Sequence, residues 1–129
     1  MLTLRRESYG KPKLPLARNP KLIALSPALV LIDDSVHAGE VVHTPELAAA
    51  CNLSVTHFRR IFNEVMGVAP KEYITDCFLK KAEKMLIDAN DRILDIATSC
   101  GFMEVSGFNR AFSSKHQMSP QEFRQKYRK

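Results

Sequence analysis

Residues 93–112 read ILDIATSCGFMEVSGFNRAF, and earlier in the chain residues 44–62 read TPELAAACNLSVTHFRRIF. At an offset of 49, Leu47-Ala48-Ala49-Ala50-Cys51-Asn52-Leu53 lies over Ile96-Ala97-Thr98-Ser99-Cys100-Gly101-Phe102. At an offset of 50, Phe58-x-Arg60-x-Phe62 lies over Phe108-x-Arg110-x-Phe112, and Ala69-Pro70-Lys71-Glu72-Tyr73 lies over Ser119-Pro120-Gln121-Glu122-Phe123. The offset changes once, so the second copy carries one extra residue just after Phe102. Self-similarity at a fixed period marks a repeated supersecondary unit, and it organises the rest of the reading.

Each copy predicts two helices joined by a tight turn. In the first, Thr44 is an N-cap, Pro45 suits the first helical position and Glu46 sits near the positive end of the helix dipole. Leu47, Ala48 and Cys51 share the buried face. Asn52, like Gly101 in the second copy, stands where the chain must leave the helix through the left-handed conformation. Ser54 caps the next helix, whose Phe58, Ile61, Phe62 and Val65 recur at helical spacing until Gly67 ends it. The second copy starts at Asp91 as N-cap, with Ile93, Ile96 and Ala97 inward, and its second helix carries Val105, Phe108, Ala111 and Phe112. Ser119-Pro120-Gln121-Glu122 is a capping-box sequence that opens a last helix with Phe123 and Tyr127.

Pro70 to Asp88 reads as one linking helix with Tyr73, Ile74, Cys77, Phe78, Ala82, Met85 and Leu86 on its apolar side. Upstream, Ser26-Pro27 is expected to open a helix with Leu29, Val30 and Ile32. Residues 1–21 show no period and hold Gly10, Pro12, Pro15 and Pro20, so 1–24 is expected to be an arm or linker and 25–129 the folded domain. The expectation is an all-α chain of seven helices without a strand. It places helix-turn-helix units at about 44–66 and 91–116, joined by the linking helix at 70–88, in a homeodomain-like arrangement.

The 129 residues fit one globular domain with an apolar fraction of 45%, which excludes collagen-like and wholly disordered classes. No apolar run approaches the roughly 20 residues of a membrane span, and the N-terminus lacks the apolar core of a secretory signal. Cys51, Cys77 and Cys100 form an odd, widely spaced set, which argues for reduced packing residues rather than a disulfide framework or zinc finger. The net charge of +5 is unevenly spread: residues 1–21 hold six Lys/Arg and one acid, 22–104 hold seven and twelve, and 105–129 hold six and one. Basic ends around an acidic middle suit a nucleic-acid partner better than a membrane surface.

Two helices joined by a short turn, the second presenting basic and polar side chains outward, place a recognition helix in the DNA major groove. A linking helix of about 18 residues spans roughly 27 Å at 1.5 Å per residue, near the ~34 Å repeat of B-DNA. Two recognition helices could then enter successive major-groove segments. A helical protein-interaction module without sequence-specific DNA binding is the alternative. An enzyme is not expected: there is no G-x-x-x-x-G-K, G-x-S-x-G or H-E-x-x-H, and Asp88, Asp91 and Asp95 are explained by capping and solubility. No cofactor or metal is expected, since His37, His43, His57 and His116 lie in different elements without paired cysteines.

The residues resemble the AraC/XylS transcription regulators over about 26–126. The most specific part runs I-x-x-I-A-x-x-x-G-F, F-x-R-x-F and S-P-x-E-F-R. Here it is Ile93, Ile96, Ala97, Gly101, Phe102, Phe108, Arg110, Phe112, Ser119, Pro120, Glu122, Phe123 and Arg124. The first half keeps Leu47, Ala48, Leu53, Ser54, Phe58, Arg60, Phe62, Gly67, Pro70, Tyr73, Leu79, Ala82 and Leu86. The resemblance implies a cytoplasmic bacterial regulator that binds double-stranded promoter DNA and activates transcription by touching RNA polymerase. In the family such a domain is commonly joined to a separate effector-binding and dimerisation domain, which these residues do not contain, so the chain resembles either a small stand-alone member or the terminal part of a longer regulator. Three departures stand out: Phe78 replaces an Arg, Gln117 replaces a Gly, and Gly107 stands where a bulky aromatic is common. Gly107 costs about 1 kcal/mol of helix propensity and offers no side chain to a base.

The family's base-contacting positions fall on Thr56, Arg59 and Arg60, and helical spacing puts these with Asn63 on one face. Arg can bond guanine O6 and N7 bidentately, and the Thr methyl can meet thymine. Val105, Ser106, Asn109 and Arg110 occupy the corresponding face of the second recognition helix. Asn109 could read adenine, whereas Ser106 and Val105 promise weak discrimination, so this half is expected to bind backbone more than bases. Lys115, Arg124, Lys126, Arg128 and Lys129 are expected to be solvated or phosphate-facing.

Overall fold

The computed structural model describes residues 19–128. They form seven helices and no strand: α1 Pro20–Ala38, α2 Thr44–Ala50, α3 Val55–Met66, α4 Pro70–Asp88, α5 Ile93–Ser99, α6 Val105–His116 and α7 Pro120–Tyr127. The chain divides into two compact units. One combines Val42–Thr75 with the described residues before Val36, and the other combines Val36–Val41 with the described residues from Asp76 on.

Helix α1 starts a full two turns before the expected Ser26-Pro27. Asn19 caps it, its Oδ1 accepting from the backbone N–H groups of Lys21 (3.1 Å) and Leu22 (3.2 Å), with Pro20 at the first helical position. Pro27 is inside the helix but on its exposed side, where water can serve the Ile23 carbonyl that the ring deprives of a donor. Residues 20–24, assigned to the arm from sequence, are therefore the first turn of a helix that buries Leu22 and Leu25. The rest of the expected arm, 1–18, lies outside the described residues.

The first unit closes over Leu25, Ile32, Leu47, Phe58, Phe62 and Ile74. Cys51 packs against α1, with burial raising its thiol pKa and a hydrogen bond with the Ala28 backbone opposing. The second unit closes over Phe78, Leu79, Leu86, Ile96, Phe108 and Phe112. Burial pushes the Cys100 thiol up to about 11, against the pull of Lys81. A thiol kept protonated in this way is a packing group rather than a nucleophile.

The sequence repeat is a structural repeat. In the first turn Leu53 N–H donates to Ala48 O and Asn52 N–H to Ala49 O; in the second Phe102 N–H donates to Ala97 O and Gly101 N–H to Thr98 O, all at 3.0–3.1 Å. Asn52 and Gly101 both take the left-handed backbone, at φ 58° and 81°. Gly101 is further constrained, because a Cβ there would meet Val41 at 3.2 Å and the Phe78 ring at 3.3 Å. The Phe78 ring thus fills the space that Gly101 leaves.

The aromatic cores match as well. Phe58 and Phe62 lie 5.5 Å apart and Phe62 meets Tyr73 edge-on at 5.5 Å; Phe108 and Phe112 lie 5.8 Å apart and Phe112 meets Phe123 edge-on at 5.2 Å. The extra residue of the second copy sits in its turn, where Met103 and Glu104 occupy the interval that Ser54 fills alone in the first.

Two caps differ from expectation. Helix α2 is capped at His43 rather than Thr44, and the Glu46 carboxylate reaches back to accept from the His43 N–H at 2.7 Å. The N-cap position of helix α5 is Arg92 rather than Asp91, without a side-chain bond to the helix start, and the Arg92 guanidinium pairs with Asp95 at 3.0 and 3.2 Å. That pairing holds the Asp95 carboxyl below its ordinary pKa. Ser54 and Ser119 cap α3 and α7 as expected.

Both recognition-type helices end in a left-handed residue, Gly67 at φ 81° and Gln117 at φ 57°. The left-handed region costs a residue with a Cβ about 1–2 kcal/mol, partly offset by glycine's greater freedom when unfolded. Gln117→Gly is therefore expected to raise the urea-unfolding free energy by about 0.5–1 kcal/mol. A loss of stability would mean that the Gln117 amide bond to Ser114 O matters more than the backbone strain.

Lys81 holds two helix ends at once. Its ammonium donates to Val36 O in the last turn of α1 at 2.8 Å and to Ser99 O at the end of α5 at 3.0 Å. A cation at a helix C-terminus is favourable, and here one group serves two. Lys81→Met should lower stability by about 2 kcal/mol, because both part-buried carbonyls lose a charged donor. An unchanged melting temperature would show instead that water replaces the ammonium without loss.

Candidate nucleic-acid interface

Helix α3 presents Thr56, Arg59, Arg60 and Asn63 on its exposed side, opposite the buried Phe58, Ile61, Phe62 and Met66. The arrangement follows from local sequence: Ser54 accepts from His57 N–H at 3.1 Å and fixes the start, and the apolar spacing fixes the rotation. The Arg59 side chain makes no hydrogen bond or ion pair with any described residue. Asn63 is turned back on its own helix, its Nδ2 donating to Arg59 O at 3.1 Å. Arg60 stands near Glu64, whose carboxyl is held below its ordinary pKa first by a 2.7 Å hydrogen bond from Lys21 and, more weakly, by Arg60. The one acid at this end of α3 is thereby tied to α1.

Helix α6 differs from α3 in detail. Ser106 and Arg110 are exposed, but Val105 and Asn109 are half-buried, so the outward strip is narrower than the sequence suggested. Glu104 precedes the helix without capping it, and Ser106 Oγ donates to Glu104 Oε1 at 3.3 Å. Position 107, equivalent to the exposed His57, has no side chain. Arg110 Nη2 and Phe102 Cδ1 both lie 3.9 Å from where a Cβ there would stand.

Two basic residues assigned to solvent or phosphate are used inside the second unit. Arg124 donates from Nε to Leu86 O at 3.0 Å and from Nη2 to Ala89 O at 3.2 Å, closing the C-terminal end of α4, and Arg128 bonds Asn90. Their partners are more than thirty residues away in sequence, so no local signal could have revealed them. Lys115 lies 3.9 Å from Asp76, and His116 Nε2 is 2.8 Å from Glu83. Among the described residues no cluster could hold a metal ion, and no helix is long and apolar enough to cross a membrane.

Two helix-turn-helix units repeated around a linking helix define a class of DNA-binding domain. A helix-turn-helix domain model matches residues 47–126. An HTH-type transcriptional regulator of Mycobacterium tuberculosis is 30% identical over 90 residues, 70% of this chain and 35% of that protein. A Chromobacterium violaceum regulator with an AraC-type DNA-binding domain superposes with a TM-score of 0.72 at 24% identity, covering 79% of this chain and 89% of its own. The DNA-binding domain of the global transcriptional factor AdpA, solved in complex with a target DNA, gives 0.72 at 24% identity, covering 78% and 92%. The chain belongs to the AraC-type helix-turn-helix family, a family of transcription regulators. It spans between 26% and 40% of the length of eight curated relatives that it matches.

Proposed function

We propose that this domain regulates transcription by binding double-stranded promoter DNA, offering one recognition helix from each unit to successive major-groove segments. The observation that carries the reading is the repeat itself: each unit turns a second helix outward with an exposed arginine at the matched position, Arg60 in one and Arg110 in the other. On α3, Thr56, Arg59, Arg60 and Asn63 supply the base and phosphate contacts, with Arg59 the leading base reader. On α6, Val105, Ser106, Asn109 and Arg110 form the second contact strip. Activation through contact with RNA polymerase, and control by an effector-binding and dimerisation domain outside this chain, extend the proposal from the family resemblance.

The experiment is a titration of the protein onto a random-sequence duplex across a range of salt. Each phosphate neutralised by Lys or Arg contributes a slope of roughly −0.9 in log affinity against log salt. A slope of several units supports the reading. Absence of binding even at low salt contradicts it and favours the protein-interaction module.

A further inference from the structure

Resting on the reading of α6 as a DNA-contacting helix, we infer that Gly107 is a specificity-determining position, because it opens the path by which the Arg110 guanidinium reaches a base. A glycine inside a helix costs up to about 1 kcal/mol relative to alanine, so its presence at position 107 calls for a local reason. No backbone strain supplies one: Gly107 is not among the residues with positive φ. Crowding does not supply one either, since the nearest atoms to a Cβ at this position stand at 3.9 Å, ordinary van der Waals contact.

What the position does offer is room. Arg110 sits one turn along the same helix, and its Nη2 is one of those two nearest atoms, the other being Phe102 Cδ1. The guanidinium therefore runs back toward the start of α6, with its Nη2 over the gap at Gly107. It makes no hydrogen bond or ion pair with any described residue, so its fork of donors is available to a ligand. The N-terminal part of a recognition helix is the part that contacts base edges.

A planar guanidinium lying over this turn is suited to the O6 and N7 acceptors of a guanine. A large side chain at 107 would occupy the same space and drive Arg110 outward, toward the phosphates. In the first unit the equivalent position is filled by His57, so the gap belongs to the second unit alone. On this inference the second unit reads a base, where the sequence expectation has it bind backbone more than bases.

The experiment selects binding sites from a randomised duplex pool with wild type, Gly107→Ala, Gly107→Tyr and Arg110→Ala, each checked for folding by circular dichroism and thermal melting. Wild type is expected to enrich a guanine at one position of its second block. Arg110→Ala should lose that preference by roughly 5- to 150-fold in affinity, the worth of one bidentate Arg–guanine pair. Gly107→Ala should melt higher and keep the guanine, since a methyl group fits beneath the guanidinium. Gly107→Tyr should lose the guanine while the first block stays as in wild type. If a folded Gly107→Tyr protein enriches the same guanine, position 107 does not set the path of Arg110 and the inference falls while DNA binding stands. If wild type binds no DNA, the functional reading falls and this inference with it.

Discussion

Truncating Phe112 to alanine is expected to destabilise the protein by about 3–5 kcal/mol, the range for removing a fully buried phenylalanine. Its ring is completely enclosed and meets Phe108, His116 and Phe123 at centroid distances of 5.8, 4.4 and 5.2 Å. The ring thus ties the recognition helix α6 to α7, and a void at this point removes contacts on both. Domains of this size commonly have only 5–15 kcal/mol of total stability, so urea unfolding should show a large fall in midpoint. Phe62, the matched residue of the first unit, is equally enclosed between Phe58 and Tyr73 and should cost a similar amount. A Phe112→Ala unfolding free energy within about 0.5 kcal/mol of wild type, the ordinary range of a surface substitution, would contradict this packing.

Replacing Arg59 by alanine is expected to weaken binding to a selected DNA site by roughly 5- to 150-fold, with little effect on folding. The side chain is exposed and makes no hydrogen bond or ion pair with any described residue, so its removal leaves no buried group unsatisfied. Arg59→Lys separates charge from readout. Lysine keeps the positive charge but lacks the planar fork, so non-specific binding at low salt should survive while preference for the selected site falls. Equal loss of specific and non-specific binding in Arg59→Ala, with both restored by lysine, would make Arg59 a phosphate contact instead of a base reader.

The features that sequence revealed are those set by short-range rules. The bounds of α4 at Pro70 and Asp88, the left-handed Asn52 and Gly101, the Ser54 cap and the Ser119 capping box all depend on residues within four positions of one another. The same grammar misled at α1, because Asn19-Pro20 and Ser26-Pro27 both spell a helix start. Leu22 and Leu25, three apart and both buried, were the signal that the helix was already under way. His43 replaces Thr44 as the cap of α2 because the backbone conformation and the Glu46 carboxylate decide the boundary, and a histidine is no usual sign of one.

Long-range partners were not legible. Lys81 is one of many lysines until α1 and α5 bring Val36 O and Ser99 O to it, and Arg124 looks like a solvated residue until the end of α4 stands beside it. At the interface, periodicity sorted exposed from buried faces but could not place the guanidinium of Arg110. Its Nη2 lies 3.9 Å from where a Cβ on Gly107 would stand, a proximity set by the side-chain conformation and not by the spacing of residues.

Whether both units read DNA is tested by selection from a pool of random duplexes at several salt concentrations, followed by sequencing of the retained molecules. The retained molecules are expected to share two short blocks about one helical turn apart, the better-defined one lost in Arg59→Ala and the other altered in Arg110→Ala. Retention that is steeply salt-dependent but enriches no sequence would contradict base reading by this domain, and no retention at low salt would contradict DNA binding altogether.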